Sequence, residues 1–152
     1  MYQCSFELND KPMSAFKIDS LSFPAFSGLG ASANKRNLAC IPGSGPIPPG
    51  TYYIFDRQGG GFLEPFKNLF SDHTNWFALY AIDTKIDDET YCNGVKRGNF
   101  RLHPKGPRGI SEGCITIDAP KDFDRLRVML KGMAPQALPG SALKAYGRVT
   151  VT

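Results

Sequence analysis

Histidine is scarce in this chain: His73 and His103 are the only two among 152 residues, and they lie thirty positions apart. Cysteine is little commoner, with Cys4, Cys40, Cys92 and Cys114, and no two of them form a C-x-x-C pair. That spacing excludes a structural zinc site of the usual ligand pattern, and no metal or cofactor is expected. No apolar run approaches the roughly 20 residues that cross a bilayer, so no membrane span is expected. Net charge is only +4, with lysines and arginines scattered rather than gathered on one stretch, so no nucleic-acid partner is expected. The first residues, Met-Tyr-Gln-Cys-Ser-Phe-Glu-Leu, lack the basic and then apolar regions of a signal peptide, and synthesis in the cytoplasm without one is the expectation.

Glycine and proline, by contrast, are abundant, at 16 and 12 residues. They punctuate the chain into short segments and favour strands over long helices. Tyr2, Cys4, Phe6 and Leu8 alternate with polar residues as in a half-buried strand, and Ser14–Ile18 reads as its hairpin partner across an Asn9–Pro12 turn. Residues 19–50 read mostly as loop, with a short apolar piece at Phe23–Phe26, and 19–44 are long enough to flap over a site. Gly45–Asp56 is a proline-stiffened turn feeding a strand, with Tyr52 and Ile54 on one face and Tyr53 and Phe55 on the other. Gly59–Gly61 reads as a turn and residues 62–75 as irregular. Trp76–Ile82 is a continuous apolar run, read as a central strand, and Asp83–Gly98 as a polar loop. After Ile117 comes the one strong helix, with Asp118 as its cap, Pro120 in its first turn and Gly132 beyond its end. Phe123, Leu126 and Leu130 form its packing face. Val149 and Val151 alternate in a closing strand. The expected fold is a single domain over residues 1–152, mainly β with one helix.

Chemistry concentrates in Arg101–Ile117. Asn99–His103 reads as a strand, residues 104–110 as a Pro/Gly-rich loop, and Ile115–Ile117 as a second strand. His103 leaves the first strand and Cys114 enters the second, an order that can bring an imidazole and a thiol together at one end of a sheet. A free thiol near pKa ~8.5 is mostly protonated at neutral pH, and a neighbouring imidazole supplies the base it lacks. Gly113 removes side-chain bulk beside Cys114, where backbone amides can face an oxyanion. Ser111 can orient the imidazole or the substrate. Arg97, Arg101 and Arg108 bracket the stretch as candidate carboxylate ligands, and Tyr80 and Trp76 can line a groove, though a buried strand usually carries such residues as core. His73 reads as a solvated loop residue. The residues alone leave two readings open: a catalytic pair, or a buried thiol and an ordinary loop histidine. Spacing does not decide disulfides. If Cys114 is a working thiol, at most one bridge forms among Cys4, Cys40 and Cys92.

The stretch resembles the signature of the L,D-transpeptidase (YkuD-like) family, a histidine at a strand end followed by Ser/Thr-His-Gly-Cys and an apolar residue. Ser111, Gly113, Cys114 and Ile115 match it, and Gly45–Ile54 resembles the family's P-x-G-x-Y-x-I strand. Glu112 replaces the second histidine, and Thr116 stands where an arginine often follows the cysteine. Along nearly its whole length the chain is similar to the small L,D-transpeptidase-like toxins delivered by bacterial type VI secretion. The resemblance implies a YkuD-like β-sandwich with one helix after the Cys114 strand. It implies a Cys114 nucleophile and a His103 base acting on the L,D bond before the terminal D-alanine of peptidoglycan tetrapeptide stems, by hydrolysis or by exchange. It implies secretion into the periplasm of a target cell, a loading component of the type VI machine and a cognate immunity protein.

Two other function classes compete. An NlpC/P60-like cysteine endopeptidase or amidase usually places its cysteine before its histidine and at a helix start, whereas here His103 comes first and a β-run follows Cys114. A non-catalytic wall-binding module would need neither residue.

Overall fold

The computed structural model describes residues 1–57, 75–106 and 112–152. The Gly59–Gly61 turn, most of the irregular segment 62–75, His73, Arg108 and Ser111 lie outside the described residues. Eight strands close into one hydrogen-bonded barrel: β1 (Tyr2–Phe6), β12 (Gly147–Val151), β4 (Gly50–Asp56), β5 (Phe77–Ala81), β8 (Arg101–Pro104), β9 (Ile115–Ile117), β3 (Leu21–Phe26) and β2 (Ser14–Ile18), in that order around the ring. Two neighbouring pairs, β1–β12 and β8–β9, run parallel and the other six are antiparallel, while β10 (Gln136–Ala137) and β11 (Lys144–Ala145) form a separate two-stranded ribbon. The mainly β fold with its helix after the Cys114 strand is as expected. The strands form a single ring, where a sandwich keeps two facing sheets.

Alternation along the strands fills the barrel. Phe6, Phe16, Ile18, Ile54, Leu79, Leu102, Ile115, Ile117 and Val149 point into one core cluster and are essentially inaccessible. The helix α1 (Pro120–Lys131) adds Phe123, Leu126 and Leu130 to the same cluster, with the Phe123 ring 6.2 Å from that of Phe77. At its far end Lys131 and Tyr146 both bond to Asp56, at 2.8 and 2.7 Å. Partial burial opposes ionisation of Asp56, but these bonds outweigh it and hold its carboxyl below the usual range.

Two expectations need correction, and a third is sharpened, since a loop as long as residues 19–50 is expected to be able to hide a short strand. Residues 83–98 are not all loop: β6 (Glu89–Cys92) and β7 (Val95–Gly98) form a hairpin whose turn, Asn93–Gly94, takes positive φ at both positions. That is the type I′ arrangement, for which Asn-Gly is the favoured pair. The hairpin stands off the barrel with most of its side chains wet, so it lacks the apolar alternation that marks a strand. Within residues 19–50, β3 pairs with β2 and β9 through the apolar piece Phe23–Phe26, and two 3-10 turns, Gly30–Ser32 and Arg36–Leu38, follow it. The helix N-cap is Ala119, without a side-chain cap bond; Asp118 instead faces Lys105 at 3.4 Å.

A disulfide joins Cys40 to Cys92, closing 52 residues and tying the segment after β3 to the hairpin. Cys4 is a buried free thiol. Replacing Cys40 and Cys92 together by serine is expected to lower stability by about 2–4 kcal/mol, because the unfolded chain regains the entropy the loop had lost. Urea unfolding under non-reducing conditions measures it.

Candidate active site

The site is set by the parallel pairing of β8 with β9, in which Leu102 lies opposite Ile115 and His103 opposite Thr116. Side chains alternate along a strand, so Leu102, Ile115 and Ile117 enter the core while Arg101, His103, Cys114 and Thr116 share the outer face. His103 and Cys114 are therefore diagonal neighbours on adjacent strands, with Cα atoms about 8 Å apart by strand spacing and rise. The imidazole Nε2 lies 3.5 Å from Thr116 Oγ1, on the strand that Cys114 opens.

The other ring nitrogen settles the tautomer. His103 Nδ1 is 2.8 Å from the carbonyl oxygen of Pro104, which accepts and cannot donate. A neutral ring thus carries its proton on Nδ1 and presents Nε2 as the basic atom. Trp76 stacks on the imidazole with centroids 4.2 Å apart and planes 19° from parallel, and the Arg57 guanidinium lies 5.7 Å from the indole centroid. The β5–β8 register, with Phe77 opposite Leu102, carries Trp76 to the level of His103. The residue read chiefly as core at the start of a central strand instead holds the plane of the candidate base. No periodicity signal distinguishes those two uses, because both place the ring on a strand.

Cys114 sits half-buried at the mouth of β9, with its sulfur 3.8 Å from the Asn99 carbonyl. Burial pushes the thiol up from 9.0 to about 11; a hydrogen bond from the Arg101 backbone and the Arg101 charge pull it down, while Glu112 and Asp88 push it up. The resting thiol is therefore in its protonated form at neutral pH. Arg101 has both terminal nitrogens on Asp88, at 2.8 and 2.7 Å. This bidentate pair occupies the fork that a substrate carboxylate would use. Tyr80 packs against Phe55, 5.1 Å between centroids, in a second apolar cluster on the outside of β4 and β5.

Gly113 has φ +106, a conformation that L side chains rarely adopt. A Cβ there would lie 2.6 Å from Arg97 Nη2 and 3.1 Å from the Phe100 ring. Arg97 itself, from β7, donates to the carbonyls of Ala39, Pro46 and Gly45. It thus clamps the disulfide-tied segment beneath the Gly113–Cys114 turn. A cavity of about 480 Å³ opens beside Cys114, walled by Pro42 and Gly43 on one side and by the β6–β7 hairpin on the other. The length of 19–44 had raised the idea of a flap; the part that reaches the site is Pro42–Gly43. Among the described residues no group of three or more His, Cys, Asp or Glu could hold a metal ion, and no helix is long and apolar enough to cross a membrane.

The Tlde1 domain family model matches residues 21–141. No curated protein and no solved structure matches the chain.

Gly113→Ala is expected to cost about 1–3 kcal/mol from backbone strain alone and to displace Cys114, read by thermal melting and by the rate of thiol alkylation. Both free thiols are raised by burial, Cys114 to about 11 and Cys4 to about 12. The folded chain keeps these protons where the unfolded chain, with thiols near 9.0, releases them. Stability is therefore expected to fall as pH rises from about 9 towards 12. Alkylation of Cys114 by iodoacetamide is expected to reach half its limiting rate near pH 11, well above a peptide thiol.

Proposed function

The chain belongs to the Tlde1 domain family, and from that membership we propose that it is a cysteine enzyme that cleaves the L,D bond before the terminal D-alanine of peptidoglycan tetrapeptide stems. The family comprises type VI secretion effectors of L,D-transpeptidase-like, peptidoglycan-modifying character. The observation behind the finer reading is the β8–β9 register, by which Cys114, on the lining of a cavity, follows onto the same outer face as the oriented His103.

The mechanism follows from this geometry. Pro104 holds the Nδ1 proton and Trp76 holds the ring plane, so Nε2 accepts the Cys114 proton as sulfur attacks the carbonyl. Backbone amides around Gly113 and Cys114 receive the oxyanion, for which Gly113 leaves room. The same proton passes from Nε2 to the departing D-alanine amine. A thioester remains, and water resolves it as carboxypeptidase action, or a second D-amino acid resolves it as exchange. Arg101, with its fork on Asp88, acts on the sulfur through its backbone N–H and its charge rather than on a substrate carboxylate. Ser111 keeps its proposed orienting role and Arg108 its proposed contact with a substrate carboxylate. Residues 1–152 act as one catalytic unit, and the barrel is this chain's form of the YkuD-like sheet. Loss of stem tetrapeptides weakens a target cell's wall, which fits delivery into a rival's periplasm, a loading component in the donor and an immunity protein that occupies the cavity.

Purified protein incubated with tetrapeptide muropeptides, with and without a D-amino acid, is expected to yield tripeptide and exchanged tetrapeptide by mass spectrometry. Cys114→Ala and His103→Ala are each expected to reduce turnover by at least about 10³-fold while leaving the melting temperature nearly unchanged. Turnover at the wild-type rate in either variant refutes the assignment.

A further inference from the structure

The walls of the cavity beside Cys114 come from two distant parts of the chain, and a disulfide joins those parts. Pro42 and Gly43 follow Cys40 closely, and Cys92 ends β6 of the facing hairpin. The hairpin is anchored unevenly. At its base the Asp88 carboxylate holds both terminal nitrogens of Arg101, and the Asp88 carbonyl accepts from the Asn99 backbone. Further along, Thr90 donates to Asp83, and Arg97 donates to the carbonyls of Ala39, Gly45 and Pro46 while lying against Gly113. At the tip Cys92 pairs with Val95 around an exposed Asn93–Gly94 turn, and there the tie to the facing wall is the Cys40–Cys92 bond.

Apolar burial does not hold this wall. Residues 40–44 contain no buried side chain, and Arg97 is the one buried residue of β6 and β7. The Arg97 hydrogen bonds go to neutral carbonyls, which return less than a carboxylate would for the hydration lost. A segment with few buried apolar contacts opens locally at low cost. The covalent bond is what keeps the wall closed and Arg97 seated under the Gly113–Cys114 turn. Cys40 and Cys92 are both half-buried, within reach of a redox partner, whereas Cys4 belongs to the barrel core.

We propose that Cys40 and Cys92 are a redox gate on the Cys114 site: as two thiols they leave the wall loose and turnover low, and as a disulfide they close it into the active form. The gate rests on the reading of Cys114 as the nucleophile of an effector that passes from a reducing cytoplasm to an oxidising periplasm. Closure is thiol–disulfide exchange. One of the two thiolates attacks a sulfur of an oxidant disulfide, and the other then displaces the oxidant from the mixed disulfide. Cys40 and Cys92 together give up two electrons and two protons, and the oxidant leaves as two thiols. The co-reactant is a disulfide oxidant, either a dithiol–disulfide oxidoreductase or glutathione disulfide. A reductant normally preserves a cysteine enzyme by keeping its nucleophile a thiol; here it lowers turnover.

The test compares one protein in two redox states. Wild-type protein, either oxidised or reduced with a phosphine and kept anaerobic, is given tetrapeptide muropeptides, and its disulfide content is checked by mass spectrometry. The reduced form is expected to turn over about 10- to 100-fold more slowly, the scale of a small misplacement at a reacting centre, and to recover when glutathione disulfide is added. Cys40→Ser/Cys92→Ser protein is expected to match the reduced form with or without oxidant. Circular dichroism is expected to show the barrel folded throughout. Turnover equal within about twofold in the two states, or a serine variant as active as the oxidised protein, overturns the gate and leaves the enzyme reading standing. A globally unfolded reduced form also overturns it, since the bond then serves stability alone. If neither state turns over, the enzyme reading fails, and the gate is read by iodoacetamide alkylation of Cys114, followed on its own peptide. A rate at least about threefold higher in the serine variant than in oxidised wild type then supports the gate, and equal rates overturn it.

Discussion

Three residue pairs of parallel sheet, Leu102–Ile115, His103–Thr116 and Pro104–Ile117, hold the candidate site together. Parallel strands admit no tight turn, so the chain must travel from the end of β8 back to the start of β9 before it can pair. Cys114 stands at the mouth of β9 with its side chain on the His103 face. Burial of Leu102, Ile115 and Ile117 on the other face fixes the register. A slip of one residue would send those side chains to solvent and turn the site residues inward. The reactive face is thus specified by the apolar residues behind it.

Around that pair, the surroundings divide into two functions. On one side the His103 ring is held at both its edge and its face: the Pro104 carbonyl accepts the hydrogen bond from Nδ1–H and Trp76 stacks on the plane. On the other side a wall is built from parts that are distant in sequence. The Cys40–Cys92 disulfide and the Arg97 clamp bind the segment after β3 to the β6–β7 hairpin, and the same guanidinium lies against Gly113. The wall and the Gly113–Cys114 turn are therefore in direct contact. Burial raises the Cys114 thiol and keeps it protonated at neutral pH.

Much of the barrel was legible because its strands obey period-two alternation. The first hairpin, the Tyr52/Ile54 and Tyr53/Phe55 faces and the final strand carry that pattern, β5 was legible as a continuous apolar run, and the helix carries Phe123, Leu126 and Leu130 at helical spacing. The β6–β7 hairpin escaped because a solvated ribbon needs no apolar face; only its Asn93–Gly94 turn betrays it. In β3, Pro24 interrupts a short run within a loop-rich stretch, and the strand exists because β2 and β9 pair with it from either side. Arg101 was readable as a basic group near the histidine, but its capture by Asp88 depends on the hairpin's placement. Spacing did not decide the disulfide; only with Cys114 taken as a working thiol does the choice narrow to Cys4, Cys40 and Cys92, and no further.

By itself the sequence determined the residue types that matter and their order: a histidine leaving one strand, a glycine and a cysteine entering the next, and the apolar alternation that makes both strands. These are local matters of period, turn chemistry and side-chain reactivity. The tertiary structure decided which groups tune and enclose them. Trp76 on the imidazole, Arg97 beneath Gly113, Asp88 on Arg101 and the Cys40–Cys92 tie are contacts between segments far apart in the chain. Such contacts follow from the closure of the ring and the packing of loops against it, which no local pattern encodes.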